Sequence, residues 1–248
     1  MQLTEDIWMA ASGINGAHIC HAADCNVYIV KTADRMIMID TGTGLSQEKM
    51  FEYMESWQLT PDCITDILLT HIHGDHAGAA ASVKRYSGAA VHLSEKAAPY
   101  LEAGDEDIID LRSAKENGFY PSDYTMTACE IDHPLREAEV FNIGDYQITA
   151  LFTPGHSQFC TSFLFQRGDD VPSLFSGDTV FANGKISMLS THDFNLQSLK
   201  KSIAKLSRWD VANLFPGHGT PVINNGAIHI KAAHETFQQL DVPKNILK

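Results

Sequence analysis

His71-Ile72-His73-Gly74-Asp75-His76 places three imidazoles and a carboxylate within six residues. Packing alone does not call for such a density. These side chains bind borderline divalent metals such as zinc, iron or manganese. The run before it, Ile67-Leu68-Leu69-Thr70, is short, apolar and predicts a buried strand. The alanine-rich run after it, residues 77–86, predicts a helix. The cluster therefore belongs on a strand-to-helix turn. In an extended segment His71 and His73 project to one side, because side chains alternate with period two. Gly74 is expected to turn the backbone sharply, so that Asp75 and His76 reach a second position nearby. Two adjacent metal positions, rather than one, are the expectation. The competing reading, a loop that has gathered polar residues, has to explain several further motifs downstream.

Those motifs share a context. Residues 26–31 and 35–39 are β-rich runs joined by a polar turn, and the second ends in Asp40-Thr41-Gly42. A helix is expected over about 46–57, with Met50, Phe51, Met54 and Trp57 on one face. A strand at 146–152 ends in Thr153-Pro154-Gly155-His156, and a hairpin-like pair at 161–166 and 172–176 ends in Ser176-Gly177-Asp178. A helix at about 195–207 precedes a strand at 212–215 that ends in Pro216-Gly217-His218, and a last helix is expected at about 226–240. His156, Asp178 and His218 thus each follow a strand end and a glycine. The order of hairpin, strand with Asp, helix, strand with His occurs in both halves. Two β-sheet halves sandwiched together with helices outside would produce that echo, an α/β architecture. One domain spanning residues 1–248 is the expected organisation. Within it, residues 94–139 look like a helical, acidic and aromatic insertion, with helical segments at 94–102 and 105–117, acting as a lid or pocket wall over the site.

Bulk properties narrow the field. The chain of 248 residues carries 18 Lys plus Arg against 31 Asp plus Glu, a net charge of −13. Such a surface repels phosphate backbones, so no nucleic-acid partner is expected. Five cysteines without framework spacing read as free thiols in a reducing compartment. No leader pattern or spanning apolar run is evident. A cytoplasmic protein with no membrane partner, acting on a small molecule and able to form a homo-oligomer, is the expectation.

Through Asp40-Thr41-Gly42, His71-Ile72-His73-Gly74-Asp75-His76, His156, Asp178 and His218, the chain resembles the metallo-β-lactamase-fold hydrolase superfamily over about residues 6–240. The resemblance implies a four-layer αββα sandwich of two mixed β-sheets with helices on the outer faces. It implies two divalent ions, zinc foremost, with iron or manganese as alternatives. His71, His73 and His156 would hold the first, and Asp75, His76 and His218 the second. Asp178 would bridge them, and Asp40 would orient a ligand histidine without binding metal. The implied reaction is hydrolysis of an ester, thioester or lactone by a metal-bridging hydroxide, with Asp75 as the catalytic proton shuttle. Glyoxalase II-like and lactonase-like branches share this ligand set. A mononuclear-iron enzyme resembling persulfide dioxygenases, a phosphodiesterase and a non-enzymatic binding protein are the alternatives. His21, in the His18-Ile19-Cys20-His21 loop, and His192 are candidates for the substrate pocket, whereas His92, His133, His229 and His234 read as ordinary polar residues.

Overall fold

The structure, a computed structural model, describes residues 1–246 in two compact units, the first residues 1–135 and the second beginning at residue 136. The first unit is built on a six-stranded mixed sheet in sequential order. Its strands are β1 (Ile7–Ala11), β2 (Val27–Lys31), β3 (Met36–Ile39), β4 (Asp66–Leu68), β5 (Ala90–Ser94) and β6 (His133–Leu135). β1, β2 and β3 pair antiparallel, and β3 through β6 run parallel. Strands β3, β4 and β5 are buried almost throughout, as expected for parallel strands covered on both faces. Ile37, Met38, Ile67, Leu68, Val91 and Leu93 have no accessible surface.

Helix α1 (Gln47–Ser56) buries Met50 and Met54. Phe51 and Trp57, expected on the same face, are only half-buried. Phe51 packs instead on the exposed ring of Tyr86. The helical region after the His cluster starts earlier than expected, as a single turn α2 (Gly74–Ala77) followed by α3 (Ala80–Ser87). Residues 94–139 contain the two expected helices in shorter form, α4 (Ala98–Ala103) and α5 (Leu111–Glu116), together with β6, and Ser94 itself completes β5. The aromatic stretch after α5 folds back onto the His cluster. Tyr124 is buried, and its ring stacks on Tyr120 with centroids 4.8 Å apart and planes 14° off parallel.

The second unit carries a five-stranded sheet in the order β11-β10-β9-β8-β7. Its strands are β7 (Glu139–Ile143), β8 (Tyr146–Phe152), β9 (Thr161–Gln166), β10 (Ser173–Gly177) and β11 (Leu214–Pro216). All neighbours are antiparallel except β10 and β11, which are parallel because α6 (Leu196–Leu206) lies in the connection between them. Leu199, Ile203 and Leu206 of α6 join Ile230, Ala233 and Phe237 of α7 (Gly226–Gln238) in one apolar cluster with Leu174 and Leu214. Asn195 caps α6 by accepting from the Ser198 amide at 2.8 Å. Strands β1, β6 and β7 were not anticipated from sequence. β6 is three residues long and contains a proline, too short to show an alternating pattern. Among the described residues, no helix is long and apolar enough to cross a membrane.

Candidate metal centre

In the first unit, β3 and β4 run parallel in register, with Ile39 beside Leu68. That register places Asp40 next to the segment leading into the His cluster, and Asp40 is its hub. Its Oδ1 accepts from the Thr70 amide at 2.7 Å, and its Oδ2 accepts from the Thr70 hydroxyl at 2.8 Å. The same Oδ2 lies 2.7 Å from His76 Nδ1. Thr70 Oγ1 is also 3.0 Å from His71 Nδ1. A hydroxyl has one proton, and here it goes to the carboxylate, so Thr70 Oγ1 accepts from His71 Nδ1–H. This network assigns both tautomers: His71 and His76 each carry a proton on Nδ1 and present Nε2 as an electron-pair donor. Asp40 thus orients two imidazoles, one directly and one through Thr70. It has a positive φ of 57°, a conformation in which Asp and Asn are tolerated better than most residues. All four residues Asp40, Thr70, His71 and His76 are buried.

The donor set fits a divalent ion. His71 Nε2 lies 3.2 Å from His73 Nδ1. Two nitrogens each about 2.05 Å from a tetrahedral ion would stand about 3.3 Å apart. Cys25, Asp40 and His76 also bring ligand-type atoms within 4.8 Å of one another. However, Asp40 is committed to Thr70 and His76, and burial pushes the Cys25 thiol up to about 12. That trio is a support for His76 rather than a donor set, because a thiol binds metal as its thiolate. On the other flank, Asp75 Oδ2 lies 3.7 Å from His76 Nε2, and Asp75 Oδ1 accepts from the Tyr120 hydroxyl at 3.0 Å.

Gly74 was expected to make the turn, yet its φ is not among the positive values, and the extended residue is His73, at φ −61° and ψ 150°. Glycine is required at 74 for another reason. A Cβ there would stand 3.0 Å from Tyr124 Cε1 and 3.2 Å from Tyr120 Cζ. Gly78 is tighter still, since a Cβ would overlap the Tyr124 hydroxyl.

In the second unit, three strand ends deliver His156, Asp178 and His218. The Gly217 amide donates to Gly177 O at 2.9 Å, so the ends of β10 and β11 are tied together just where Asp178 and His218 emerge. The His156 turn is held against α6: the Asn195 amide donates to Gly155 O at 2.8 Å, and Ser202 Oγ donates to Pro154 O at 2.7 Å. Gly155, at φ +148°, passes so close that a Cβ would overlap the Leu199 backbone. The result is one carboxylate oxygen, Asp178 Oδ2, standing 3.5 Å from His156 Nε2 and 3.5 Å from His218 Nε2. His156 and Asp178 are buried and His218 is half-buried.

Of the two pocket candidates, His21 is half-buried in a turn, where its Nδ1 accepts from the Ala23 amide at 3.2 Å. His192 is exposed in the segment ahead of α6. His92 is buried, bonds Asp66 Oδ1 at 3.0 Å and stacks on His133, so both serve the sheet edge. Cys160 is buried too, and burial pushes its thiol up to about 12. Sequence reading missed Thr70, Tyr120 and Tyr124 as parts of the site. The reading of residues 94–139 as an aromatic pocket wall covered Tyr120 and Tyr124 without singling them out.

Acyl-coenzyme A thioesterase MBLAC2 of Bos taurus is 28% identical over 211 residues, 78% of this chain and 72% of that protein. Atrochrysone carboxyl ACP thioesterase dmxR1 of Cryptosporiopsis sp. is 26% identical over 203 residues, 81% of this chain and 50% of that protein. Among solved structures, BJP-1, a subclass B3 metallo-beta-lactamase of Bradyrhizobium japonicum, aligns with a TM-score of 0.71 at 23% identity, covering 97% of this chain and 92% of that one. The fold is therefore the expected metallo-β-lactamase fold, with two mixed β-sheets and flanking helices. The model of the metallo-beta-lactamase superfamily matches residues 22–218, and the chain belongs to that superfamily.

Proposed function

We propose that this protein is a metal-dependent thioesterase that hydrolyses the thioester of a small acyl carrier such as an acyl-coenzyme A. The contact pair at Asp178 carries the metal reading. One oxygen set 3.5 Å from two imidazole nitrogens suits a carboxylate shared between two ions. The bond type is supported by the two relatives named as thioesterases, one for acyl-coenzyme A and one for an acyl carrier protein. The proposed donors are His71, His73 and His156 for one ion, Asp75, His76 and His218 for the other, and Asp178 for both. Imidazole and carboxylate donors suit zinc, with iron and manganese as alternatives. When bound, such ions lower the pKa of a water toward neutrality and polarise the carbonyl under attack.

The residues of the chain do the rest. Asp40 and Thr70 hold the His71 and His76 rings with Nε2 presented. The Asp75 carboxylate takes the proton released as water adds to the thioester carbon, and returns it to the sulfur as the carbon–sulfur bond breaks. The products balance as one carboxylic acid and one thiol.

The test is thiol release from short- and long-chain acyl-coenzyme A and from S-acyl glutathione, alongside lactones, β-lactams and phosphodiesters. Metal content is measured on the same sample. Chelator-sensitive thioester hydrolysis by protein holding two metals per chain is expected. Undiminished hydrolysis after metal removal would sink the reading. So would one bound iron with oxygen uptake.

A further inference from the structure

We infer that Tyr120 is a positioning residue for Asp75, fixing which of its two carboxylate oxygens faces the proposed metal donors. The inference rests on the reading of Asp75 as a metal ligand and proton carrier. Tyr120 meets Asp75 twice. Its hydroxyl donates to Asp75 Oδ1 at 3.0 Å, and the Asp75 amide donates back to the same hydroxyl oxygen at 3.1 Å. This reciprocal pair pins both the carboxylate and the backbone from which it springs. With Oδ1 engaged, Oδ2 is the oxygen turned to the His76 Nε2 side, at 3.7 Å. A carboxylate rotating freely could exchange its oxygens; this one is bonded in one setting.

Tyr120 is itself held. Its ring stacks on that of Tyr124, and the Tyr124 hydroxyl lies 2.9 Å from Thr43 O and 3.0 Å from Gly74 O, sharing one proton between them. Glycine at 74 and 78 opens the space that the two rings fill. The pair therefore clamps the short helix that carries Asp75 and His76, from a segment some 45 residues away in sequence. A buried tyrosine hydroxyl could have found any carbonyl. That Tyr120 instead bonds the one carboxylate of the His cluster is what sets it apart from a packing residue.

The test is Tyr120→Phe, which keeps the stacked ring and removes only the hydroxyl. Zinc affinity is measured for each equivalent by competition with a chromophoric chelator. Steady-state thioester hydrolysis and thermal unfolding of the metal-loaded protein are followed in parallel. A hydrogen bond to a charged group is worth about tenfold to a hundredfold in an equilibrium. The expected result is a loss of about tenfold or more in affinity for one zinc equivalent, with the other unchanged. kcat should fall while KM is little changed, and the unfolding midpoint should stay within a few degrees. Tyr124→Phe retains the stack and the Tyr120 hydroxyl, and should leave both zinc equivalents closer to wild type than Tyr120→Phe does. Unchanged zinc affinity for both equivalents in Tyr120→Phe would overturn the inference. Equal loss of both equivalents with a large drop in unfolding midpoint would overturn it too, because the tyrosine would then be only a structural clasp. Should the wild type bind two zinc ions yet hydrolyse no thioester, the substrate reading fails while the zinc titration still decides the role of Tyr120.

Discussion

Replacing Asp40 by Asn tests the hub of the first unit with almost no change in shape. Asn tolerates the left-handed backbone at this position, φ 57°, at least as well as Asp does, so strain is not the cause of any effect. The amide oxygen can still accept from the Thr70 amide, as Oδ1 does now at 2.7 Å. The amide nitrogen replaces Oδ2, and it is a donor facing two donors, the Thr70 hydroxyl and His76 Nδ1–H, at 2.8 Å and 2.7 Å. Both must turn around. His76 moves its proton to Nε2, and Thr70 accepts from the amide, which leaves the Thr70 hydroxyl proton without its carboxylate acceptor while a second lone pair still serves His71 Nδ1–H. A charge-assisted bond is worth about 1.5–3 kcal/mol and a neutral one about 1 kcal/mol. Three charge-assisted bonds to Asp40 give way to neutral ones, at about 1 kcal/mol each, which amounts to about 3 kcal/mol. For a chain of this size that corresponds to a fall of about 6–12 °C in unfolding midpoint for the metal-free protein. The effect on metal is larger in kind, because His76 Nε2 is then protonated, and affinity should fall about 10–100-fold. Calorimetric unfolding of the metal-free protein and zinc competition measure the two quantities separately. Metal affinity equal to wild type would refute the tautomer assignment, whatever the midpoint.

Gly78→Ala should disorder the tyrosine clamp, since its Cβ would overlap the Tyr124 hydroxyl. Overpacking of this kind costs about 1–3 kcal/mol, read as a lower denaturation midpoint and faster proteolysis within residues 118–126. Asp178→Ala should cut metal affinity by more than the roughly 10–100-fold typical of an outer partner, and thioester hydrolysis with it; full activity in metal-depleted protein would refute its role. Cys63 is the exposed thiol, while Cys20, Cys25, Cys129 and Cys160 are buried. A disulfide reagent at pH 8 should label Cys63 rapidly and the other four only on unfolding. Burial pushes Cys129 up to about 11 and Cys160 up to about 12, whereas an unfolded thiol ionises near 8.5. Between those values the unfolded chain holds fewer protons than the folded one. Stability should therefore fall as pH rises from about 9 to 11, by about 1.4 kcal/mol per pH unit for each such thiol. A flat denaturation midpoint across that range would count against the burial of these groups.

The sequence by itself determined the candidate donors and the kind of place they occupy. His71, His73, Asp75 and His76 lie so close along the chain that any turn after a strand brings them together. Glycines before His156, Asp178 and His218 mark strand ends, and the structure finds β8, β10 and β11 leading to those residues. Local periodicity also located α6, Leu196–Leu206, nearly to the residue. Only the tertiary structure decided how the donors are aimed. The parallel pairing of β3 with β4 brings Asp40 to Thr70 and His76, thirty or more residues apart, and so chooses the tautomers. The reason for Gly74 is likewise absent from its own neighbourhood: it makes room for rings contributed by Tyr120 and Tyr124. Spacing along a chain is a local property, whereas hydrogen-bond direction and steric room depend on what the fold brings alongside.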